Sequence, residues 1–326
     1  MKNLTRAFSI AAAAACCIGV AAGAHAKEWA PDRPVHIIVP IVGSTNDLLG
    51  RLVGAKLQEA IGQPVIVENK GGAGGTIGAN YVARSKPDGL TLLVGYNGPI
   101  AINKTLFREM PYDPEKDLEP ITLAVMAPQY LAVTESLPVK SVADLVALAR
   151  AKPDKLSYGS VSVGSASHLT MEMFKSAAHI KMVHVPYKGA APAMTDLLAG
   201  NVQAAFMVPG NVLQYAKQNR LRLIASTGEH RFANTPNVPT MIESGYPGFV
   251  ATSWIGFLAP AGTPKEIIDR YNKEIVKILH MPDVRAKLEG LEFEIVADSP
   301  QQFHDWIHTE VARWGKVIKD TGTKVN

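Results

Sequence analysis

Apolar and polar positions alternate along the chain in the pattern of short buried strands followed by amphipathic helices. The apolar segment 35–40 predicts a strand, and the apolar residues at helical spacing that follow it up to Ile61 predict a helix. Such alternation favours parallel sheets covered by helices, and the predicted fold class is therefore α/β. Further strands are predicted at 65–68, 90–95, 156–160, 182–187, 202–208 and 221–226, and a second helix at about 76–84.

Two apolar stretches are longer than a typical buried strand and are interpreted as crossings between two lobes. One runs over 121–134 and is interrupted by Pro128, and the other runs over 249–260 and is interrupted by Gly256. Two such crossings make a natural hinge. The predicted division is 27–127 and 254–326 for lobe I, and 128–253 for lobe II.

The segment after the second crossing contains two predicted helix starts. Thr263-Pro264 is followed by Glu266, and Ser299-Pro300 is followed by Gln302. Each pattern combines an N-cap residue, proline at the first helical position and a capping-box partner. We assign both a structural role.

The N-terminal segment 1–26 predicts a secretory signal. It has the basic residues Lys2 and Arg6, a long alanine-rich apolar stretch and a small-residue site that ends at Ala26, where cleavage is expected. Both cysteines of the chain, Cys16 and Cys17, fall within this segment. The mature chain therefore has no thiol for a disulfide, a metal site or catalysis, and periplasmic localisation is expected.

Composition excludes several classes of partner. The formal net charge of the whole chain is only +4, and basic and acidic residues are interspersed, so no nucleic-acid surface is predicted. His304 and His308 share a predicted helix face, but no third ligand is evident and no metal is expected. No cofactor fingerprint is present, since 71–78 has neither the P-loop ending nor the spacing of a dinucleotide-binding loop.

Three loops lie after a predicted strand and before a predicted helix, namely Gly43–Asp47, Gly71–Gly75 and Ser160–His168. Helix N-termini present unpaired backbone N–H groups and partial positive charge, so several of them in one cleft would form an anion site. A carboxylate suits such donors without lysine or arginine. The alternative is that glycine and serine here only cap helices and turn the chain.

Residue content also permits an exported serine hydrolase. Ser165 and His168 are present, with Asp196 or Asp47 as the possible third member. No serine of 160–164 has the central position of a hydrolase elbow, so the expectation is that the protein is not an enzyme. Trp254 could line a cleft between lobes or pack in the core.

An ordered series of motifs over almost the whole mature chain resembles one family, the tripartite tricarboxylate transporter receptors, also called Bug or TctC-like extracytoplasmic solute receptors. Each motif is weak alone, but their joint order is specific. The motifs include Arg33-Pro34, Gly62-Gln63-Pro64-Val65, Gly72-Ala73-Gly74-Gly75, Pro87-Asp88-Gly89, Pro111-Tyr112-Asp113-Pro114, Gly164-Ser165, His184-Val185-Pro186-Tyr187-Lys188-Gly189 and Ala259-Pro260-Ala261-Gly262-Thr263-Pro264.

This resemblance implies a type II periplasmic-binding-protein fold, in which two α/β lobes close over a small organic carboxylate. The receptor would be a monomer without a cofactor and would pass its ligand to inner-membrane transporter subunits. The resemblance implies that one ligand carboxylate is held, partly through water, between the loop Gly43–Asp47 of lobe I and the loop Gly164–Ser167 of lobe II. The implied site residues are Gly43, Ser44, Thr45, Asp47, Gly164, Ser165 and Ser167 at the carboxylate, and Tyr96, Asn97, Pro209, Asn211, Ser253 and Trp254 at the far end. Gly74 and His168 are added as site residues from the candidate loops Gly71–Gly75 and Ser160–His168.

The first loop departs from the family pattern. Between Pro40 and Asp47 it is one residue shorter and lacks a glycine, and Ser44 and Thr45 supply hydroxyl groups instead. The carboxylate is therefore expected to be held more directly, while Asp47 could meet a ligand amino group or cap the helix. Two related roles stay open at this point, the receptor of an ATP-driven importer and a sensory receptor.

Overall fold

The computed structural model describes residues 29–232 and 234–323, and the predicted signal at 1–26, with both cysteines, lies outside these residues. Two sheets, each flanked by helices, form two lobes. The first sheet has the strand order β11-β4-β10-β3-β1-β2, and the second has the order β7-β6-β8-β5-β9. The strands are β1 Val35–Val39, β2 Val65–Asn69, β3 Thr91–Tyr96, β4 Leu118–Pro128, β5 Tyr130–Thr134, β6 Ser157–Ser160, β7 Val183–Pro186, β8 Ala204–Met207, β9 Leu221–Ser226, β10 Thr252–Pro260 and β11 Glu294–Ile295.

Helices cover both sheets and connect most of the strands, so the α/β prediction is confirmed. Each strand predicted for the separate lobes forms within two residues of its expected limits. The helices are α1 Thr45–Ile61, α2 Thr76–Ala83, α3 Asn103–Leu106, α4 Val142–Ala151, α5 Ala166–Ala178, α6 Ala190–Ala199, α7 Pro209–Lys217, α8 Lys265–Leu279, α9 Pro282–Glu289 and α10 Pro300–Thr321.

The sheets are mixed, which corrects the prediction of parallel sheets. Strand β10 runs antiparallel to β3 and β4, and β5 runs antiparallel to β8 and β9. The reason is that these strands carry the chain from one lobe to the other, so they enter each sheet without the helical crossover that makes neighbouring strands parallel.

The first predicted crossing is two strands rather than one. Strand β4 belongs to the first sheet and ends at Pro128, and β5 belongs to the second sheet and begins at Tyr130. Between them, the backbone N–H of Gln129 donates to Thr227 Oγ1 at 2.8 Å, and the Gln129 amide donates to Thr170 Oγ1 at 2.7 Å. These bonds fix the chain where it leaves one lobe and enters the other.

The two C-terminal helix starts differ. Ser299 caps α10 with the predicted capping box, because its hydroxyl accepts from the Gln302 N–H and the Gln302 side chain accepts from the Ser299 N–H. At α8 the prediction is wrong: Pro264 has the N-cap position, and the hydroxyl of Thr263 donates to the Pro260 carbonyl at 2.7 Å instead. The turn before α8 uses the hydroxyl that would have capped the helix.

Candidate functional site

A cavity of about 60 Å³ lies between the two lobes, where loops from both sheets meet. Its wall combines small polar side chains with aromatic and aliphatic ones. It is lined by Ile41, Ser44, Thr45, Asn46, Tyr96, Asn97, Gln129, Val161, Ser165, Ala166, Ser167, Ala190, Phe206, Met207, Val208, Asn211, Ser253, Trp254, Ile255 and Phe293.

Four helices begin at this cavity. Residues of the first turn or the N-cap of α1, α5, α6 and α7 are all part of its wall. Each helix has at least nine residues, and each N-terminus contributes unpaired N–H groups and partial positive charge. None of the described residues that line the cavity is Lys, Arg, Asp or Glu. Any anion-attracting charge in this wall must therefore come from backbone dipoles and neutral donors.

The loop between β1 and α1 in lobe I contains buried polar atoms without hydrogen-bond partners among the described residues. Ser44 has the N-cap position of α1 with an extended backbone, but its hydroxyl makes no capping bond. Among the described residues, Ser44 Oγ and Asn46 Nδ2 are buried and have no hydrogen-bond partner. Both residues line the cavity. A buried polar atom without a partner costs free energy, so these two atoms indicate a place for a ligand atom.

The loop between β6 and α5 in lobe II is stabilised by hydrogen bonds among its own residues. Ser165 caps α5, since its hydroxyl accepts from the His168 N–H at 3.3 Å and donates to the Ser162 carbonyl at 2.7 Å. Ser165 Oγ also lies 3.0 Å from Ser167 Oγ, which accepts from the Val161 N–H at 3.1 Å. This half of the site is therefore held in shape before any ligand binds.

His168 supports the second loop and does not line the cavity. Its Nδ1 accepts from the Gly164 N–H at 3.3 Å, and its ring stacks on His184 at 4.0 Å between centroids. Burial, with a smaller effect from Lys175, lowers the pKa of His168 to about 4. Burial and the neighbouring His168 lower the pKa of His184 to about 3. Both rings are therefore neutral near pH 7 and can pack together.

Asp47 does not line the cavity. Its carboxylate accepts from Asn69 Nδ2 at 2.8 Å and pairs with Arg51 at 3.0 Å. It lies in the first turn of α1, where Ser44 is the N-cap residue. The structure thus supports neither of the two roles considered for Asp47, since the side chain meets partners on the helix and on β2.

The triad considered for a hydrolase is not assembled in the described part of the chain. The Ser165 hydroxyl is used in the bonds of its own loop. Asp196 accepts from Tyr187 at 2.5 Å and from Asn201 at 3.0 Å. Asp47 accepts from Asn69, and no hydrogen bond among the described residues joins either aspartate to the His168 ring, so no proton relay links the three groups.

The far end of the cavity is fixed by a buried carboxylate. Glu310 of α10 accepts from Asn97 Nδ2 at 3.1 Å, from Trp254 Nε1 at 2.8 Å and from Trp314 Nε1 at 2.8 Å. Asn97 also accepts from the Trp254 N–H at 3.0 Å. Trp254 is fully buried, and its ring packs edge-on against Phe303. Both interpretations of Trp254 therefore hold, because it lines the cavity and packs in the core.

Six of the predicted site residues do not line the cavity, and two of them are glycines at contacts between the lobes. A Cβ atom at Gly74 would lie 2.8 Å from the Val163 carbonyl, and one at Gly164 would lie 2.3 Å from Asn103 Oδ1. Both close approaches are between a residue of one lobe and a residue of the other. The residues outside the lining are Gly43, Asp47, Gly74, Gly164, His168 and Pro209, whereas Ser44, Thr45, Tyr96, Asn97, Ser165, Ser167, Asn211, Ser253 and Trp254 are part of it.

Several lining residues were not predicted. Ala190 follows Gly189 at the start of α6, and a Gly-Ala helix start after a strand could have signalled a fourth anion-facing N-terminus. Phe206 and Gln129 are buried in lobe II and at the crossing, and Phe293 comes from the segment before β11. Nothing in the local pattern around Phe293 or Gln129 distinguishes them from core residues.

Residues 29–232 and 234–323 contain neither a candidate metal site nor a helix that could span a membrane. These residues contain no group of three or more His, Cys, Asp or Glu side chains that could hold a metal ion. No helix formed by them is long and apolar enough to cross a membrane.

Comparison with known sequences identifies one family. The model of the family described as "Tripartite tricarboxylate transporter family receptor" matches residues 49–323. Protein BugT of Bordetella pertussis is 34% identical over 325 residues, which cover 99% of this chain and 99% of BugT. A UPF0065 protein from the tcbD-tcbE intergenic region of Pseudomonas sp. is 32% identical over 328 residues, which cover 100% of this chain and 97% of that protein.

Solved structures give the same result. R. palustris Rpa4515 with adipate superposes with a TM-score of 0.86 at 38% identity, covering 90% of this chain and 98% of Rpa4515. MatC from Rhodopseudomonas palustris with bound malate superposes with a TM-score of 0.85 at 30% identity, and the match covers 88% of this chain and 99% of MatC. The periplasmic binding protein BugD superposes with a TM-score of 0.85 at 33% identity, and the match covers 90% of this chain and 99% of BugD. The fold is therefore that of two-lobed periplasmic solute-binding proteins, as the sequence predicts.

Proposed function

Because the chain belongs to the tripartite tricarboxylate transporter receptor family, we propose that its inter-lobe cavity captures a small organic carboxylate for such a transporter. The family consists of solute-binding receptors and is not an enzyme family. We therefore propose binding and release without a catalytic step. The four helix N-termini that converge on a cavity with no charged lining residue carry this proposal.

The carboxylate is proposed to lie between the two facing loops. Ser44 Oγ and Asn46 Nδ2 are buried donors without a partner in the described structure, and their residues line the same cavity as the start of α5. A carboxylate has two oxygens that can accept several hydrogen bonds, so it can satisfy both donors and the N–H groups of the second loop together. Thr45, Ser165 and Ser167 complete this proposed end of the site.

The body of the ligand is proposed to lie against the apolar part of the wall. Phe206, Met207, Trp254 and Phe293 contribute aromatic and thioether surface, whereas Asn97, Asn211 and Ser253 offer a few polar contacts. This combination suits a short carbon chain or a flat ring with a second polar group. Relatives bound to adipate and malate support an aliphatic acid.

The remaining site residues that the sequence predicts are proposed to act indirectly. Gly43, Gly74, Gly164 and Pro209 shape the loops and the helix starts, and His168 supports the loop of lobe II. Lobe I (27–127 and 254–326) and lobe II (128–253) are proposed to separate for ligand entry. The two crossings between the sheets would act as the hinge.

We further propose that the protein works as a periplasmic monomer exported by the segment 1–26 and cleaved after Ala26. Relatives of high structural similarity include a periplasmic binding protein. The proposed partners of the present protein are the membrane subunits of the transporter. The family match favours these partners over an ATP-driven importer or a signalling protein.

A thermal-shift screen of organic acids tests the proposal. A ligand that binds only the folded state raises the melting temperature in a concentration-dependent way. We expect at least one of adipate, malate, succinate, citrate or benzoate to raise it, while the matching neutral amide has no effect. If no acid shifts the melting temperature and calorimetry also detects no binding, the carboxylate proposal is wrong.

A further inference from the structure

The helix starts of the inter-lobe cavity are grouped around the β1–α1 loop. The start of α6 is close to this loop, because a Cβ atom at Gly189 would lie 3.1 Å from the Val42 carbonyl. The start of α7 is equally close, because a Cβ atom at Gly210 would lie 3.2 Å from Thr45 Cγ2. The β6–α5 loop adjoins them, since the Gly189 N–H donates to the Val161 carbonyl at 2.8 Å. The backbone donors of the cavity are therefore concentrated in one part of its wall.

A second part of the wall, here called the aromatic wall, consists of Tyr96, Asn97, Ser253 and Trp254. Most of its donors are used within the protein. Both hydrogens of the Asn97 amide are bonded, one to a backbone carbonyl and one to Glu310, each at 3.1 Å. Trp254 Nε1 donates to Glu310 at 2.8 Å, and the Tyr96 hydroxyl donates to a backbone carbonyl at 3.2 Å. Ser253 adds a single neutral hydroxyl, so a ligand carboxylate at this wall would find few donors.

Glu310 places negative charge directly behind the aromatic wall. It is fully buried, and its Oε2 accepts from Asn97 and Trp254, so one hydrogen bond separates its carboxylate from the cavity lining. Its Oε1 accepts from Arg313 Nη1 at 3.1 Å. Arg313 does not line the cavity but, together with Thr252, a separate concavity. The ion pair thus presents its negative member to the cavity lining, where low solvent access leaves the charge weakly screened.

The start of α7 does not replace the missing donors. Its first residue, Pro209, has no N–H, and the Asn211 N–H donates to the Val208 carbonyl at 3.0 Å. Helix α1 has no proline in its first turn and begins with three residues that each carry an N–H group. Helix α7 is therefore a weaker anion site than α1, and the cavity has no second cluster of donors to match the one at the β1–α1 loop.

We propose that the cavity selects carboxylic acids that carry charge at one end only, with a neutral group against the aromatic wall. This inference rests on the proposed carboxylate function and narrows it to monocarboxylates. A second carboxylate at the wall would lose its hydration without enough donors to replace it. Glu310 is the positioning residue for this selectivity, because it occupies the donors of Asn97 and Trp254 and repels a second anion.

Calorimetry with three acids of equal chain length tests the proposal. Glutarate and glutaramate have the same shape, but the second end of glutaramate is a neutral amide, whereas that of glutarate is a second carboxylate. Pentanoate has a methyl group at this position. We expect glutaramate and pentanoate each to bind at least about tenfold more tightly than glutarate near pH 7, because only glutarate brings a second charge to the wall.

The outcomes separate this inference from the function on which it rests. If glutarate binds as tightly as glutaramate, or more tightly, the selectivity is wrong and the carboxylate function stands. If none of the three acids binds, the inference is also wrong, and the thermal-shift screen of other acids then decides whether the carboxylate function falls with it.

Variants locate the selectivity. Ser253→Lys adds a cation to the aromatic wall, so the preference for glutaramate over glutarate should fall by about tenfold. Thr252→Lys is the matched control, because Thr252 lines the separate concavity instead, and it should keep the wild-type ratio. Glu310→Gln should also lower the ratio, which provides the test should Ser253→Lys fail to fold. An unchanged ratio of the two affinities in the folded variants would contradict the assignment, since loss of stability alone does not move this ratio.

Discussion

The two loops at the inter-lobe cavity, β1–α1 in lobe I and β6–α5 in lobe II, both place a serine at a helix N-cap but differ in how the serine hydroxyl is hydrogen-bonded. In both, a serine has the N-cap position of a helix, Ser44 before α1 and Ser165 before α5. Ser165 uses its hydroxyl in the cap and in two further bonds, whereas Ser44 Oγ is buried without a partner among the described residues. The loop of lobe II is thus preorganised, and the loop of lobe I keeps its donors for the ligand. The same residue type at the same helix position can therefore serve stability in one lobe and binding in the other.

Glycine replacement gives the largest expected difference between the loops. Gly164 and Gly43 both have positive φ, but a Cβ at Gly164 would lie 2.3 Å from Asn103 Oδ1 of lobe I, and one at Gly43 meets nothing within 4 Å. Gly164→Ala should therefore oppose lobe closure and weaken carboxylate binding by about 3 kcal/mol, roughly 100-fold. Gly43→Ala is the matched control and should cost only the backbone strain, about 1 kcal/mol. Equal losses by calorimetry would contradict the assigned lobe contact.

Acid should destabilise the loop of lobe II. Burial lowers the pKa of His168 to about 4 from 6.5, so the unfolded chain binds the proton more readily than the folded one. The stability contributed by neutral His168 is complete above pH 6.5 and is lost as pH falls toward 4, by about 3 kcal/mol. Urea unfolding at a series of pH values measures this slope. His168→Gln should reduce the slope and leave the part that the stacked His184 contributes, while the exposed control His304→Gln should keep the full slope. An undiminished slope in His168→Gln would reject the explanation.

Loss of the cap at α5 should lower stability. Ser165→Ala removes the acceptor for the His168 N–H and the donor to the Ser162 carbonyl, so the free energy of unfolding should fall by about 1 to 2 kcal/mol. Denaturant unfolding without ligand measures the effect. An unchanged midpoint would mean that this loop is not held by its cap.

Ser44→Ala should weaken carboxylate binding without lowering stability, in contrast to Ser165→Ala. Since the hydroxyl makes no protein bond in the described structure, its removal should leave the ligand-free stability within about 0.5 kcal/mol of wild type. Binding of the carboxylate should weaken by about 1 to 1.5 kcal/mol, close to tenfold, because one donor is lost. Calorimetry beside denaturant unfolding separates the two effects. A destabilised variant with normal affinity would reverse the roles assigned to the two serines.

Much of the fold was predictable because it depends on local patterns. Apolar runs located most strands of each lobe, helical spacing located α1 and α2 of lobe I, and the Ser299 capping box formed as its residues indicate. Strand direction was not predictable in this way. Whether β10 pairs parallel or antiparallel with β3 depends on where the chain returns from the other lobe, and no local pattern records that path.

The candidate site was predictable where it follows helix starts. Ser44, Thr45, Ser165 and Ser167 were found because a loop between a strand and a helix must place its first residues at the strand ends. Phe293 and Gln129 were missed because only tertiary packing brings them to the cavity. The orientation of Asp47 was also beyond local reasoning, since its partner Asn69 lies on another strand.

A crystal structure of the protein with a bound organic acid tests the central claim most directly. The account predicts a carboxylate between the two loops, with one oxygen at about 3 Å from Ser44 Oγ and the other at similar distance from N–H groups that begin α5. The carbon chain should extend toward Trp254 and Phe293. A carboxylate held by a charged side chain instead, or bound outside this cavity, would contradict capture by neutral donors at converging helix N-termini.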